Sequence, residues 1–139
     1  MRRYKIIIQY DGSSFSGWQL QKNRNTVQGE IEIALKIISK SEDRIAVHGA
    51  SRTDSGVHSY GQVAHFDLDT NIKSSDLLKA INCNTSKDCK IMSLEKVDND
   101  FESRFDALKR SYIYQVYTGS SLLYRNQAWL INDIDIDIL

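Results

Sequence analysis

Asp54 is the side chain of this sequence with the strongest case for doing chemistry. It sits in the run Gly49-Ala50-Ser51-Arg52-Thr53-Asp54-Ser55-Gly56-Val57-His58, with an arginine two residues before it and a glycine on either side. The run separates two apolar stretches, Arg44–Val47 and Gln62–Phe66. A carboxylate on a short loop between strands, beside a fixed cation, can stay ionised and point into a cleft. That layout suits nucleophilic or acid/base work by a single Asp. Asp, Ser, Thr and Gly are also the ordinary material of turns, so the run by itself reads first as a structural turn.

The elements that must hold this loop are legible as periodic segments. Tyr4–Tyr10 reads as a strand with Ile6, Ile7 and Ile8 as its buried run. Asp11–Asn25, rich in Gly, Ser and Asn, reads as a loop, and Thr26 can cap a helix. Val27, Ile31, Ala34, Leu35 and Ile38 fall on one face of that helix. Arg44–Gly49 and Gly61–Asp67 read as the two strands joined by the Asp54 loop. Ser74 is the expected cap of a short second helix carrying Leu77, Leu78 and Ile81. Cys89–Val97 reads as a further strand, and Arg110–Tyr117 as an aromatic one. On that strand Arg110, Tyr112 and Tyr114 would share a face, a cation beside two rings suited to stacking a base. Tyr114 also fits a core aromatic with a polar tip. The order strand, helix, strand, strand, helix, strand predicts an α+β fold: a ferredoxin-like, RRM-like antiparallel sheet with two helices on one face.

Composition excludes several classes. The chain has 139 residues, long enough for one domain with a core, and its 41% hydrophobic and 26% charged residues are ordinary for a soluble protein. No apolar stretch reaches membrane-spanning length, and Met1-Arg2-Arg3-Tyr4 leads straight into a strand with no signal-peptide core. No membrane partner and a cytoplasmic location are therefore expected. Cys83 and Cys89 lack a second pair, and His48, His58, His65 and Asp54 fit no compact ligand spacing, so no metal is expected. His65, on an apolar strand, reads as a structural histidine. Basic and acidic residues balance at 18 each, which weighs against a nucleic-acid binder. Arg2, Arg3 and Lys5 and the cluster Arg104, Lys109 and Arg110 nevertheless permit a basic face, and Lys22 and Arg24 are candidate phosphate contacts.

The longer string Ala50–His58, followed by Gly61-Gln62-Val63-Ala64-His65-Phe66, closely resembles the catalytic motif of the tRNA pseudouridine synthase A (TruA) family. Three further stretches agree in order and spacing. Tyr10-Asp11-Gly12-Ser13-Ser14-Phe15-Ser16-Gly17-Trp18-Gln19 resembles the family's N-terminal motif, and Thr26–Glu32 its first helix. Phe101–Ala107 with Arg110-Ser111-Tyr112-Ile113-Tyr114 resembles its F-x-x-R-F-x-A…R-x-Y-x-Y. The resemblance implies half of a pseudouridine synthase catalytic domain and conversion of uridine to pseudouridine in the anticodon stem-loop of tRNA, without cofactor. It implies that Asp54 is the catalytic nucleophile or base and Tyr112 the active-site tyrosine. Arg52 would hold phosphate or fill the space of an extruded base, Arg110 would support substrate, and His58 would touch RNA. Asp11 and Gly12 are expected to shape a turn. The partners implied are tRNA and a second copy in a homodimer.

The sequence departs from the family pattern in three places. Ser51 stands where the family usually has Gly, a poor fit if that position needs a positive φ. Asn84–Asp88 replaces a proline-containing loop, and the chain has no proline. Gln127–Leu139 resembles the family's middle segment, with Ile134, Ile136 and Ile138 alternating with acids. The expectation is an N-terminal half-domain over 1–139 with the C-terminal half absent, including the arginine expected to pair with Asp54. Two other readings stay open: a non-catalytic tRNA-binding fragment, and a piece that associates through an uncovered apolar face.

Overall fold

Strict alternation in β1 (Arg2–Tyr10) organises the first part of the molecule: Tyr4, Ile6, Ile8 and Tyr10 are buried and the residues between them are not. The computed structural model describes residues 1–131 and divides into two units, Met1–Ala107 and Leu108–Leu139. In the first unit β1 lies between β3 (Ser59–Leu68) and β4 (Cys89–Val97), antiparallel to both. β2 (His48–Gly49) adds two residues to the far edge of β3, giving the order β2-β3-β1-β4. This is the expected α+β sandwich with split β-α-β connectivity.

Both helices cover the same face of the sheet. α1 (Val27–Ser39) contributes Val27, Ile31, Ala34 and Leu35, and α2 (Ser74–Cys83) contributes Leu77 and Ile81. These join Tyr4, Ile6, Ile8, Ala64, Phe66, Leu68 and Ile91 of the sheet in one core. Thr26 caps α1 as expected, its hydroxyl accepting from the Gly29 N–H at 3.1 Å. Gly17 and Trp18 satisfy two more N–H groups of that first turn, since their carbonyls accept from Val27 and Gln28.

Four expectations need correction. The strand expected over Arg44–Gly49 is formed only at His48–Gly49. Polar side chains of α1 take the preceding backbone: Glu32 accepts from the Val47 N–H and binds Arg44 through two hydrogen bonds, and Gln28 donates to the Val47 carbonyl. The buried Glu32 carboxylate keeps the Arg44 guanidinium above its ordinary pKa. The cap of α2 is Lys73, not Ser74, because the Lys73 carbonyl already accepts from Asp76 and Leu77.

The other two corrections lie in the second unit. Of the strand expected over Arg110–Tyr117, only β5 (Val116–Tyr117) forms, parallel to β6 (Trp129–Leu130). A two-residue partner cannot extend the ladder back to Arg110, so the shared face inferred for Arg110, Tyr112 and Tyr114 has no strand beneath it. Tyr114 is 85% exposed and is no core aromatic. Ile134, Ile136 and Ile138 lie outside the described residues.

Candidate active site

The N-terminal motif is the mould for the Asp54 loop. After β1, Asp11 caps a single 3-10 turn over Gly12–Ser14, its carboxylate accepting from the Ser13 N–H at 3.0 Å. The chain then passes Phe15, Gly17 and Trp18 along the loop that connects β2 to β3. The Trp18 N–H donates to the Thr53 carbonyl at 3.0 Å, and the Phe15 carbonyl accepts from the Gly56 N–H and the Ser55 hydroxyl, both at 3.3 Å. The Tyr10 phenol lies 2.8 Å from the Thr53 hydroxyl. The Gly12 N–H donates to Nδ1 of His58 at 2.9 Å. Asp54 is thus bracketed on both sides by groups tied to one segment of chain.

Two glycines make this approach possible. A Cβ on Gly12 would stand 2.0 Å from the Val57 carbonyl oxygen, and one on Gly17 would stand 2.7 Å from that of Thr53. Gly17 also has φ +87°, a conformation that L side chains avoid. From β3, Gln62 grips the start of the loop, donating to the Ser51 carbonyl and accepting from its hydroxyl. Ser51 is not among the residues with positive φ, so serine fits there without strain.

The side chains that could do chemistry are left unspent. Asp54 and Arg52 are both exposed, and neither enters an ion pair or side-chain hydrogen bond among the described residues. The fixed cation expected beside Asp54 is therefore not formed as a salt bridge: the backbone positions both groups, and both stay available to an outside partner. His58 is on the same loop, tied to Gly12 and 3.2 Å from the Asp11 carboxylate. Hydrogen bonds from Ser13 hold that carboxyl below the usual pKa, and the nearby imidazole adds to the effect. Asp11 and Gly12 shape the turn expected of them.

His65 belongs to structure, as its apolar strand implied. It is 1% exposed, and Nδ1 lies 2.7 Å from the Ser103 hydroxyl and accepts from the Ser103 N–H at 3.2 Å. Burial lowers its pKa, against the pull of Glu102. Arg3 completes this fastening: it binds Asp67 through two hydrogen bonds and donates to the Phe101 carbonyl at 2.7 Å. Arg110 and Tyr112 lie in the second unit, Tyr112 63% exposed. Among the described residues no group of three His, Cys, Asp or Glu side chains is gathered as a metal would require. Among the same residues no helix is long and apolar enough to cross a membrane. Two grooves, of about 530 and 360 Å³, are lined by Lys96–Asp106 residues and by residues of α1 and its flanks. Neither includes Asp54.

The residues that the sequence did not assign to the site are its holders: Tyr10, Gly17, Trp18 and Gln62. The available signal was a pair of glycines, Gly12 and Gly17, in a loop where they have no chemistry of their own, which marks close backbone approach.

Comparison with known proteins agrees with this architecture. Residues 6–106 match the profile of the tRNA pseudouridine synthase family, and the chain belongs to that family. A protein named tRNA pseudouridine synthase A from Ehrlichia ruminantium is 46% identical over 134 residues, covering 94% of this chain and 54% of that protein. Proteins of the same name from Maridesulfovibrio salexigens and Rhizobium meliloti are 41% and 38% identical, over 50% and 58% of their own lengths. The chain spans about half the length of the curated relatives it matches.

Proposed function

We propose that this chain carries the N-terminal half of a cytoplasmic, homodimeric tRNA pseudouridine synthase that isomerises uridine in the anticodon stem-loop. One observation carries the reading: among the described residues the Asp54 carboxylate is exposed and unpaired, on a loop whose backbone is fixed by the motif that follows β1. Pseudouridine formation breaks the bond between uracil N1 and the ribose C1′, turns the base, and joins C5 to C1′. N1 gains a proton and C5 loses one, so the reaction is an isomerisation. The base must first leave its stack. A single carboxylate serves by attacking the sugar carbon, by attacking the base ring, or by taking a proton from the sugar. Asp54 supplies that group. Arg52 offers a planar cation for phosphate or for the gap left in the stack. Tyr112 and Arg110 are the ring and cation assigned to the extruded base, and His58 is an RNA contact from the Asp54 loop.

The test is pseudouridine content of a tRNA transcript incubated with the chain and with Asp54→Ala. Conversion that falls by on the order of 10³-fold or more in the variant, with unchanged thermal unfolding, is the expected result. Equal conversion by both proteins would overturn it. A second reading, tRNA binding by these residues without turnover, is favoured by the position of Asp54 outside both grooves. It requires salt-sensitive tRNA binding with no conversion by the wild-type chain.

A further inference from the structure

We propose that His58 uses its two ring nitrogens for different purposes: Nδ1 locks the Asp54 loop to Gly12, and Nε2–H donates a hydrogen bond to an uncharged oxygen of the RNA, a base carbonyl or a ribose hydroxyl. The proposal deepens the reading of His58 as an RNA contact and rests on it. The lock comes from geometry. The Gly12 N–H points at Nδ1 at 2.9 Å, and a backbone N–H can only donate. Nδ1 must therefore present its lone pair, and the proton of the neutral imidazole lies on Nε2. The fit around the lock is tight, since Gly12 abuts the Val57 carbonyl with no space for a Cβ. The ring is held at the nitrogen nearest the main chain while its side chain stays 46% exposed. Nε2 has no partner among the described residues. The result is a donor of fixed orientation on the same loop as Asp54.

The charges around the ring select the acceptor. Asp11 Oδ1 lies 3.2 Å from Nδ1 on a half-exposed side chain, and Asp54 contributes a second carboxylate to the loop. A phosphate brought to Nε2 would meet the Asp11 charge, whereas a carbonyl or hydroxyl oxygen would not, and the cation of this loop that suits phosphate is Arg52. The charged groups facing the ring are Asp11, which already accepts from Ser13, and none other within ion-pair distance among the described residues.

Two substitutions separate the two nitrogens. In His58→Asn the amide oxygen takes the place of Nδ1, keeping an acceptor for Gly12 and removing the donor. In His58→Gln the amide reaches toward the place of Nε2, keeping a donor and removing the lock. The measurements are the ¹⁵N imidazole spectrum of the wild-type chain, hydrogen exchange at the Gly12 amide, and binding of an unmodified tRNA transcript across a salt series. The expected spectrum is that of the Nε2–H tautomer. His58→Asn should keep Gly12 protected yet weaken tRNA binding about fivefold, with the slope of log K against log salt unchanged. His58→Gln should expose the Gly12 amide. An Nδ1–H tautomer overturns the lock. Equal binding by wild type and His58→Asn overturns the donor, and a salt slope that drops by about one unit overturns the uncharged acceptor in favour of phosphate. A wild-type chain that binds no tRNA overturns the RNA reading itself, while the tautomer still decides the lock.

Discussion

The Ala50–His58 loop and the Leu108–Gln115 stretch are both irregular in outline, but the physics behind them differs. The first is irregular because it tracks another loop: every few residues it is bonded to Tyr10, Gly12, Phe15 or Trp18, and the rings behind it are buried. The second carries Leu108, Tyr112, Ile113 and Tyr114, all well exposed, and its nearest regular element is a two-residue strand. Leu108 at 102% exposed is apolar surface that no described residue covers. A loop can thus be held in one conformation by another loop, whereas a run of strong strand formers stays unpaired when its partner strand is two residues long. Propensity decides little in either place; partners decide.

The largest effect that would break this comparison is expected at Gly12. A Cβ 2.0 Å from the Val57 carbonyl meets backbone and cannot be absorbed by a rotamer change. Gly12→Ala should cost about 3 kcal/mol or more, or displace the Asp54 loop outright. Urea unfolding gives the first number, and loss of protection at the Trp18 amide reports the second. A variant as stable as wild type would show that the two loops are neighbours without being a mould.

Removing the Tyr10 hydroxyl is the next test in size. The phenol is buried, and desolvation raises its pKa above the ordinary tyrosine value, so it stays protonated with its oxygen 2.8 Å from the Thr53 hydroxyl. Tyr10→Phe should cost about 1 kcal/mol, since Thr53 is half-buried and recovers little from water. No change in the unfolding midpoint would mean that the phenol is not a strut of the loop.

These holders also mark how far sequence reading reaches. β1, α1, β3 and β4 are legible to within a residue or two from their apolar patterns, but Ile7, expected in a buried run with Ile6 and Ile8, is only half-buried because side chains alternate across β1. β2 is shorter than its residue types suggest because Arg44–Val47 bonds to Glu32 and Gln28, two polar residues whose burial on α1 no hydropathy pattern announces. Asp54 stands out by type and spacing. Its mould does not, since Gly12 against Val57 and Tyr10 against Thr53 are pairs more than forty residues apart. The aromatic strand misleads for the opposite reason: its residues favour a strand, but sequence does not say that the neighbour is short.

The fastening at His65 sharpens the picture of the first unit as the held part of the molecule, and its expected effect is smaller. Burial lowers the His65 pKa, so folding favours the neutral ring. Between the folded value and the ordinary 6.5, the unfolded chain binds more protons than the folded one, and stability rises with pH. The contribution is complete above 6.5 and is lost as pH falls through the folded value. Asp67, lowered by its hydrogen bonds to Arg3, acts only in a more acidic window below its ordinary 3.8. Unfolding midpoints should therefore drop as pH falls below about 6.5, with the protection factor of the Ser103 amide falling over the same range. A flat profile would show that the Ser103 bonds do not require a neutral ring.

The smallest effect on stability is expected at Tyr112, and it decides what the exposed stretch is for. At 63% exposure, with no described bond that would be left broken, Tyr112→Ala should change the unfolding free energy by less than about 0.5 kcal/mol. A tyrosine that contributes nothing to the fold has its ring free to stack on a base, a contact worth about 1–3 kcal/mol in single-stranded binding. tRNA affinity or pseudouridine yield should therefore fall by roughly ten- to a hundredfold at unchanged stability. If both stability and RNA properties stay at wild-type levels, the aromatic stretch is surface only, and the chemistry of this chain rests on the Asp54 loop. If stability falls instead by more than about 1 kcal/mol, Tyr112 is a packing residue, and the contrast between a held loop and an unheld stretch fails at its most exposed end.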